Sequence, residues 1–132
     1  MGAMMRYLID THALLWWLYD DPRLSRTGRG LISDPGNSIF VSAASAWEVA
    51  TKYRLGKLPS ATEFVLDMPR WLRQAGIAEL PITVAHAQRA GSWPQDHRDP
   101  FDRMIAAQSA IERLPTISRD AALAGFGIQL VW

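Results

Sequence analysis

Short apolar runs alternate with amphipathic stretches along the chain, and the alternation predicts strands and helices in turn. Tyr7-Leu8-Ile9 is apolar without interruption and stops at Asp10, as suits a buried strand. Ala13, Leu14, Trp16, Trp17 and Leu18 follow as a helix that is apolar on most sides, ended by Asp21-Pro22. Ser25 is placed to cap a second helix running to Ser33, and Asp34-Pro35-Gly36-Asn37 is turn chemistry. Ser38–Val41 reads as the second strand. Ser42 caps a helix that runs to Leu55, with Gly56 as its stop. On that helix Ala43, Ala46, Trp47, Ala50 and Tyr53 recur at helical spacing, which predicts a buried face and leaves Glu48 off it. Helix is expected again from Ala61 to Ala75, broken or kinked by Pro69. Leu80–Ile82 reads as the third strand, Thr83 caps a helix to Ala90, and Gly91–Pro100 is a polar loop. A helix over Phe101–Arg113 carries Met104, Ile105, Gln108 and Ile111 at helical spacing. Thr116–Ser118 is the fourth strand, Ala121–Ala124 a helical turn, and Ile128–Val131 the fifth strand. Strands alternating with helices predict an α/β protein with a parallel sheet covered on both faces.

Composition narrows the possibilities. The 132 residues suit one domain, and no linker, repeat or low-complexity tract divides them. The domain is therefore taken as 1–132. Met1–Met4 are set aside from the fold argument, because Met5 can serve as a natural start and the residues before it can include a vector-derived remnant. An apolar fraction of 48% with 20% charged residues excludes a disordered chain. The absence of cysteine excludes disulfide scaffolds, thiolate metal sites and cysteine nucleophiles, and it fits a reducing cytoplasm. A net charge of +1 excludes a chain that coats nucleic acid by bulk charge. Any such binding needs a local patch, for which Arg98, Arg103, Arg113 and Arg119 are candidates; scattered solvated arginines are the alternative. No run approaches the ~18 apolar residues of a membrane span, and no secretory signal opens the chain.

The acids carry the chemistry. Asp10 directly follows the first strand and Asp120 follows the fourth, while Asp102 lies in the first turn of a helix. Ligands of open parallel sheets bind beyond the carboxyl ends of the strands, so Asp10 and Asp120 share an edge and converge if their strands are neighbours. Converging carboxylates repel unless a proton or a hard cation such as Mg²⁺ or Mn²⁺ joins them. One or two such ions support phosphodiester hydrolysis. Each acid also has a purely structural explanation. Asp10 and Asp120 can cap helices, Asp102 can answer a helix dipole, and Glu48 stands four residues before Lys52 as in a surface ion pair. His12, His86 and His97 are too few and too scattered for a zinc set, and His97 reads as a solvated loop residue. Trp16, Trp17, Trp47 and Trp71 read as core. Neither a phosphate-cradling glycine loop nor a strand-elbow serine is present.

Four blocks resemble a known family. They are Leu8-Ile9-Asp10-Thr11-His12-Ala13-Leu14-Leu15-Trp16-Trp17, then Val41-Ser42-Ala43-Ala44-Ser45-Ala46-Trp47-Glu48 with Leu55-Gly56-Lys57-Leu58, then His97 through Gln108, then Ser118-Arg119-Asp120. In order and spacing they resemble VapC-type PIN domains from Arg6 to Trp132. The resemblance implies a PIN-like three-layer α/β/α sandwich with a central five-stranded parallel sheet. It implies a Mg²⁺- or Mn²⁺-dependent endoribonuclease, the toxin of a toxin–antitoxin pair. The acidic set it implies is Asp10, Glu48, Asp102 and Asp120, as catalytic residues and metal ligands. Thr11 and Ser118 match supporting hydroxyl positions; Ser118 stands where the family often has Thr. Asp99 reads as a loop or cap residue beside the set. Arg98, Arg103 and Arg119 are the candidate RNA contacts. A VapB-type antitoxin, a homodimer and a structured RNA such as tRNA or ribosomal RNA are the implied partners. Two other classes remain open: a metal-dependent phosphatase with Asp10 as nucleophile, for which His12 stands where a second acid is usual, and a non-catalytic PIN binding module.

Overall fold

Buried on both faces, the central strands of this protein have no polar side, which is why they read as unbroken apolar runs. In the computed structural model, which describes residues 4–132, the strands are β1 (Arg6–Ile9), β2 (Ser38–Ser42), β3 (Ile77–Leu80), β4 (Thr116–Ile117) and β5 (Leu130–Val131). The reading of Met1–Ala3 lies outside the described residues. All pairings are parallel, in the order β3-β2-β1-β4-β5. Ile9 is in register with Val41 on one side and with Ile117 on the other.

The helices are α1 (Thr11–Leu18), α2 (Arg26–Ser33), α3 (Ala43–Arg54), α4 (Thr62–Leu66), α5 (Met68–Ala75), α6 (Val84–Ser92) and α7 (Pro100–Glu112). Short 3-10 segments lie at Pro59–Ala61 and Ala121–Phe126. Side chains alternate across the sheet. Tyr7, Ile9, Ile39, Val41, Ile77 and Ile117 pack on one face with Leu14, Val49, Phe64 and Leu72. Leu8 points to the other face and packs with Ile105 and Leu114, flanked by Phe40 and Leu80. Two apolar layers, one on each side of a five-stranded parallel sheet, are the expected α/β/α sandwich. No helix among the described residues is long and apolar enough to cross a membrane.

Three local expectations shift. The third strand begins at Ile77, three residues before the expected Leu80. Gly76, at φ +70, ends α5 and turns the chain straight into it, and edge exposure of Ala78 and Glu79 hides the strand from an apolar pattern. The break in the fourth helical region falls at Asp67, which ends α4 and caps α5, so that Pro69 sits in a first turn, where no N–H is needed. On α3 the buried residues are Ala44, Ser45, Glu48 and Val49, not the face through Trp47 and Ala50. Trp47 is 62% exposed and meets Phe101 edge-on at 4.8 Å, which corrects its reading as core. Trp16 is buried, and Trp17 and Trp71 pack half-buried against the main core.

Candidate active site

β1 lies between β2 and β4, so the chain steps outward to β3 on one side and returns to the other side of β1. That reversal opens a crevice between the carboxyl ends of β1 and β4. Asp10 is the first residue past β1, and its N–H donates to Ile117 O at 3.1 Å, extending the β1–β4 ladder by one residue. Its backbone then turns into α1, whose first turn it caps: Asp10 Oδ1 accepts from Ala13 N at 2.8 Å. Burial raises the Asp10 pKa, and the nearby Asp120 charge adds to this. Hydrogen bonds from Ser118 and Ala13, with the proximity of His12, oppose it.

Ser118 closes β4. Its hydroxyl oxygen accepts from Asp120 N at 3.0 Å, and its nearness to Asp10 works against the rise of that carboxyl's pKa. Asp120 caps the 3-10 segment through Ala122 N at 3.0 Å. From α3, Glu48 enters buried, 3% exposed. Thr11 Oγ1 lies 2.6 Å from Glu48 Oε1 and 2.9 Å from Ser45 Oγ. One hydroxyl carries one hydrogen, so Thr11 donates to the acceptor-only carboxylate and the Ser45 contact relies on the serine's own hydrogen. Lys52 Nζ pairs with Glu48 Oε2. The Glu48–Lys52 pair is thus no surface ion pair, and the helical periodicity that left Glu48 outside is overturned by a polar inward face.

Asp102 stands in the first turn of α7, which Asp99 caps through Phe101 N at 2.9 Å and Asp102 N at 3.2 Å. Asp102 Oδ2 is 3.0 Å from His97 Nε2. Burial, then the charges of Asp99, Glu48 and Asp120, push the Asp102 carboxyl up to about 6 against that hydrogen bond. His97 also meets Phe126 edge-on at 5.5 Å, so it is not the solvated loop histidine expected.

One cavity of about 210 Å³ takes in Asp10, Glu48, Asp102 and Asp120 together with Asp99 and Lys52. Among the described residues no three His, Asp or Glu side chains form a ready ligand shell as they stand. Each acid already has a partner: Asp10 and Asp120 accept from helical N–H groups, Asp102 pairs with His97, and Glu48 with Thr11 and Lys52. The donor set nevertheless fits a hard divalent cation. It is all oxygen and acidic, and two of its members, Asp10 and Asp102, are driven toward protonation by burial and by neighbouring acids, Asp120 acting on both.

The other candidates separate. Arg103 donates to four backbone carbonyls, of Ala90, Trp93, Gln95 and His97, at 2.6–2.8 Å. With four of five N–H donors so committed, it shapes the loop before α7, which corrects its reading as an RNA contact. Arg113 ends α7 at φ +56 beside Leu114 and Gly127, away from the acids. Arg98 is exposed, and Arg119 lies over Trp16 beside the acid cavity. His86 is buried, accepting from Thr83 N at Nδ1 and facing Glu112 with Nε2, and is structural. The place of the Glu48–Lys52 pair at the cavity and the His97–Asp102 contact are not legible in the sequence. The four- and five-residue spacings were visible, but nothing in them shows burial.

A parallel five-stranded sheet with acids around its switch point defines the class, a three-layer α/β protein with an acidic crevice. The chain belongs to the PIN-domain family, whose sequence model matches residues 7–128. Ribonuclease VapC16 of Mycobacterium tuberculosis is 38% identical over 88 residues, covering 52% of this chain and 62% of that relative, less than two thirds of its length. VapBC2 from Rickettsia felis, solved bound to a DNA fragment from its promoter, superposes with a TM-score of 0.69 at 14% identity, covering 96% of this chain and 98% of the other. A toxin–antitoxin complex from Klebsiella pneumoniae gives a TM-score of 0.64 at 19% identity, with 96% of each chain covered. At those identities the two structures show a shared fold.

Proposed function

We propose that this chain is a metal-dependent endoribonuclease that hydrolyses RNA phosphodiester bonds and acts as the toxin of a toxin–antitoxin pair. The observation that carries this reading is the meeting of Asp10, Glu48, Asp102 and Asp120 around one cavity at the switch point of a PIN-family sheet. The similarity to a protein named a ribonuclease supports the activity, and the likeness to toxin–antitoxin complexes supports a small antitoxin partner that blocks the acidic cavity.

Asp10 and Asp102 are the first choice of ligands for Mg²⁺ or Mn²⁺, one or two ions, with Glu48 and Asp120 completing the set. A bound ion supplies polarisation of the phosphate, activation of water and stabilisation of the leaving oxygen. The protein's own residues orient the acids. Thr11 fixes Glu48, the Ala13 N–H fixes Asp10, and His97 fixes Asp102. Lys52 holds a positive charge at the cavity wall, where it offsets the acids and can face a phosphate. In this reading the protein works as a homodimer in the cytoplasm. No observation favours the phosphatase.

Purified protein is expected to cut RNA with Mg²⁺ or Mn²⁺, to stop in chelator, and to lose cleavage in Asp10→Asn. Equal cleavage by Asp10→Asn and wild type overturns the assignment. Absence of Mn²⁺ binding by calorimetry turns the reading toward a non-catalytic module.

A further inference from the structure

We infer that Arg23 and Arg119, both held against Trp16, form a phosphate-binding subsite for single-stranded RNA beside the acid cavity. The inference rests on the ribonuclease reading and extends it to residues that reading does not need. A second cavity of about 430 Å³ shares Asp10, His12 and Asp120 with the first and continues to Trp16, Arg23 and Arg119. A chain with one phosphate over the acids therefore continues here. At this point the wall changes from carboxylate to guanidinium. The volume suits about one nucleotide rather than a duplex.

The two arginines are prepared for an anion. The Arg119 guanidinium carbon lies 4.5 Å from the Trp16 ring centroid and that of Arg23 lies 5.1 Å from it. Stacking on an indole holds a guanidinium plane while its N–H edges stay open. Among the described residues Arg119 has neither a hydrogen bond nor an ion pair, so its five donors are uncommitted, in contrast to Arg103. Arg23 gives its Nε and Nη2 edge to Asp21 at 3.1 and 2.8 Å, which fixes the side chain and leaves Nη1 open. The Asp21 charge reaches both arginines but is hydrogen-bonded to Arg23 alone, so Arg119 is the stronger member. Trp16 is only 7% exposed and meets Trp132 edge-on, so it is a platform for arginine and not for a base. The subsite consequently reads the backbone and carries no base preference.

The test is fluorescence anisotropy with a labelled 12-nucleotide single-stranded RNA, about 12 being long enough to cross both cavities. It is run in the Asp10→Asn chain with chelator across a salt series, so cleavage does not intrude. Adding Arg119→Ala is expected to weaken binding roughly 5–30-fold and to lower the salt slope by about 0.7, the loss of one single-strand phosphate contact. Arg23→Ala is expected to do the same to a smaller degree. Arg119→Lys is expected to keep the slope with weaker binding, since it keeps charge without the planar fork. The losses are expected to be equal on homopolymers of different base. Unchanged affinity and slope in both alanine variants, or a loss confined to one base, overturns the subsite. Failure of the ribonuclease reading shows separately, as absence of cleavage by the wild-type chain with Mn²⁺.

Discussion

Ionised Asp102 is expected to lower the stability of the protein in chelator, and Asp102→Asn is the perturbation that tests this. Its carboxyl is pushed up to about 6 by burial and by three acidic neighbours. Two units above the ordinary 3.8 correspond to about 3 kcal/mol. The side chain keeps 23% exposure, so solvent screening brings this to about 1–2 kcal/mol. The folded chain binds this proton more tightly than the unfolded chain. The contribution of this group to stability is therefore fully present below the unfolded value near 4 and is lost as pH rises through about 6. Asparagine keeps the shape and can still pair with His97, but it carries no charge. In chelator above about pH 7 the variant is expected to melt higher than wild type by roughly 3–8 °C, with the gap closing by about pH 4. In saturating Mn²⁺ the order is expected to reverse, because only wild type keeps the full acid set. Thermal unfolding followed by circular dichroism across this pH range reads both effects. A variant less stable than wild type in chelator at neutral pH, or a gap that ignores pH, refutes the reasoning.

Three further outcomes can be checked. Asp10→Asn keeps the acceptor for Ala13 N–H and Asp10→Ala does not; both are expected to lose cleavage by at least about 100-fold, while urea unfolding places the alanine form about 1 kcal/mol below the asparagine form. Arg103→Ala strands four carbonyls and is expected to cost about 2–4 kcal/mol in urea unfolding; a loss under about 0.5 kcal/mol is what a surface arginine gives. Mn²⁺ at about 100 times its Kd is expected to stabilise wild type by about 2.7 kcal/mol, read as a rise in melting temperature; an unchanged melting temperature across the titration counts against a shared metal site.

How much of this was legible depended on whether a residue's surroundings are local. The β1 run was legible because both of its faces are buried, which leaves no polar position. The caps Ser25, Ser42 and Thr83 were legible because a cap bonds only two or three residues away. The inward face of α3 was not, because a buried carboxylate answered by Thr11 and Lys52 looks polar in any apolar pattern. The sequence placed Asp10 and Asp120 at strand ends, but the β1–β4 adjacency that brings those ends together is a tertiary fact. Glu48 entered the acidic set through family resemblance alone. Arg103 and Arg119 show the limit most clearly: one residue type takes opposite roles, decided by whether a ring of loop carbonyls surrounds it or a tryptophan face lies beneath it.

Capping a helix and lining the proposed site are not competing roles for these acids. Asp10, Asp99 and Asp120 are all N-caps, and all three border the same cavity. A helix beginning at this edge of the sheet needs an acceptor for its first N–H groups, and an aspartate supplies it with one oxygen. The positive end of each α-helix in turn favours the carboxylate, which offsets part of the repulsion among the acids. Asp10 shows this compensation directly: the Ala13 N–H opposes the rise that burial imposes. The Asp102 carboxylate accepts from no backbone N–H; His97 is its one hydrogen-bond partner among the described residues, and its pKa stays high. In the aspartate caps, the carboxylate that starts the helix also lines the cavity, so the turns that build the fold place acids around the crevice.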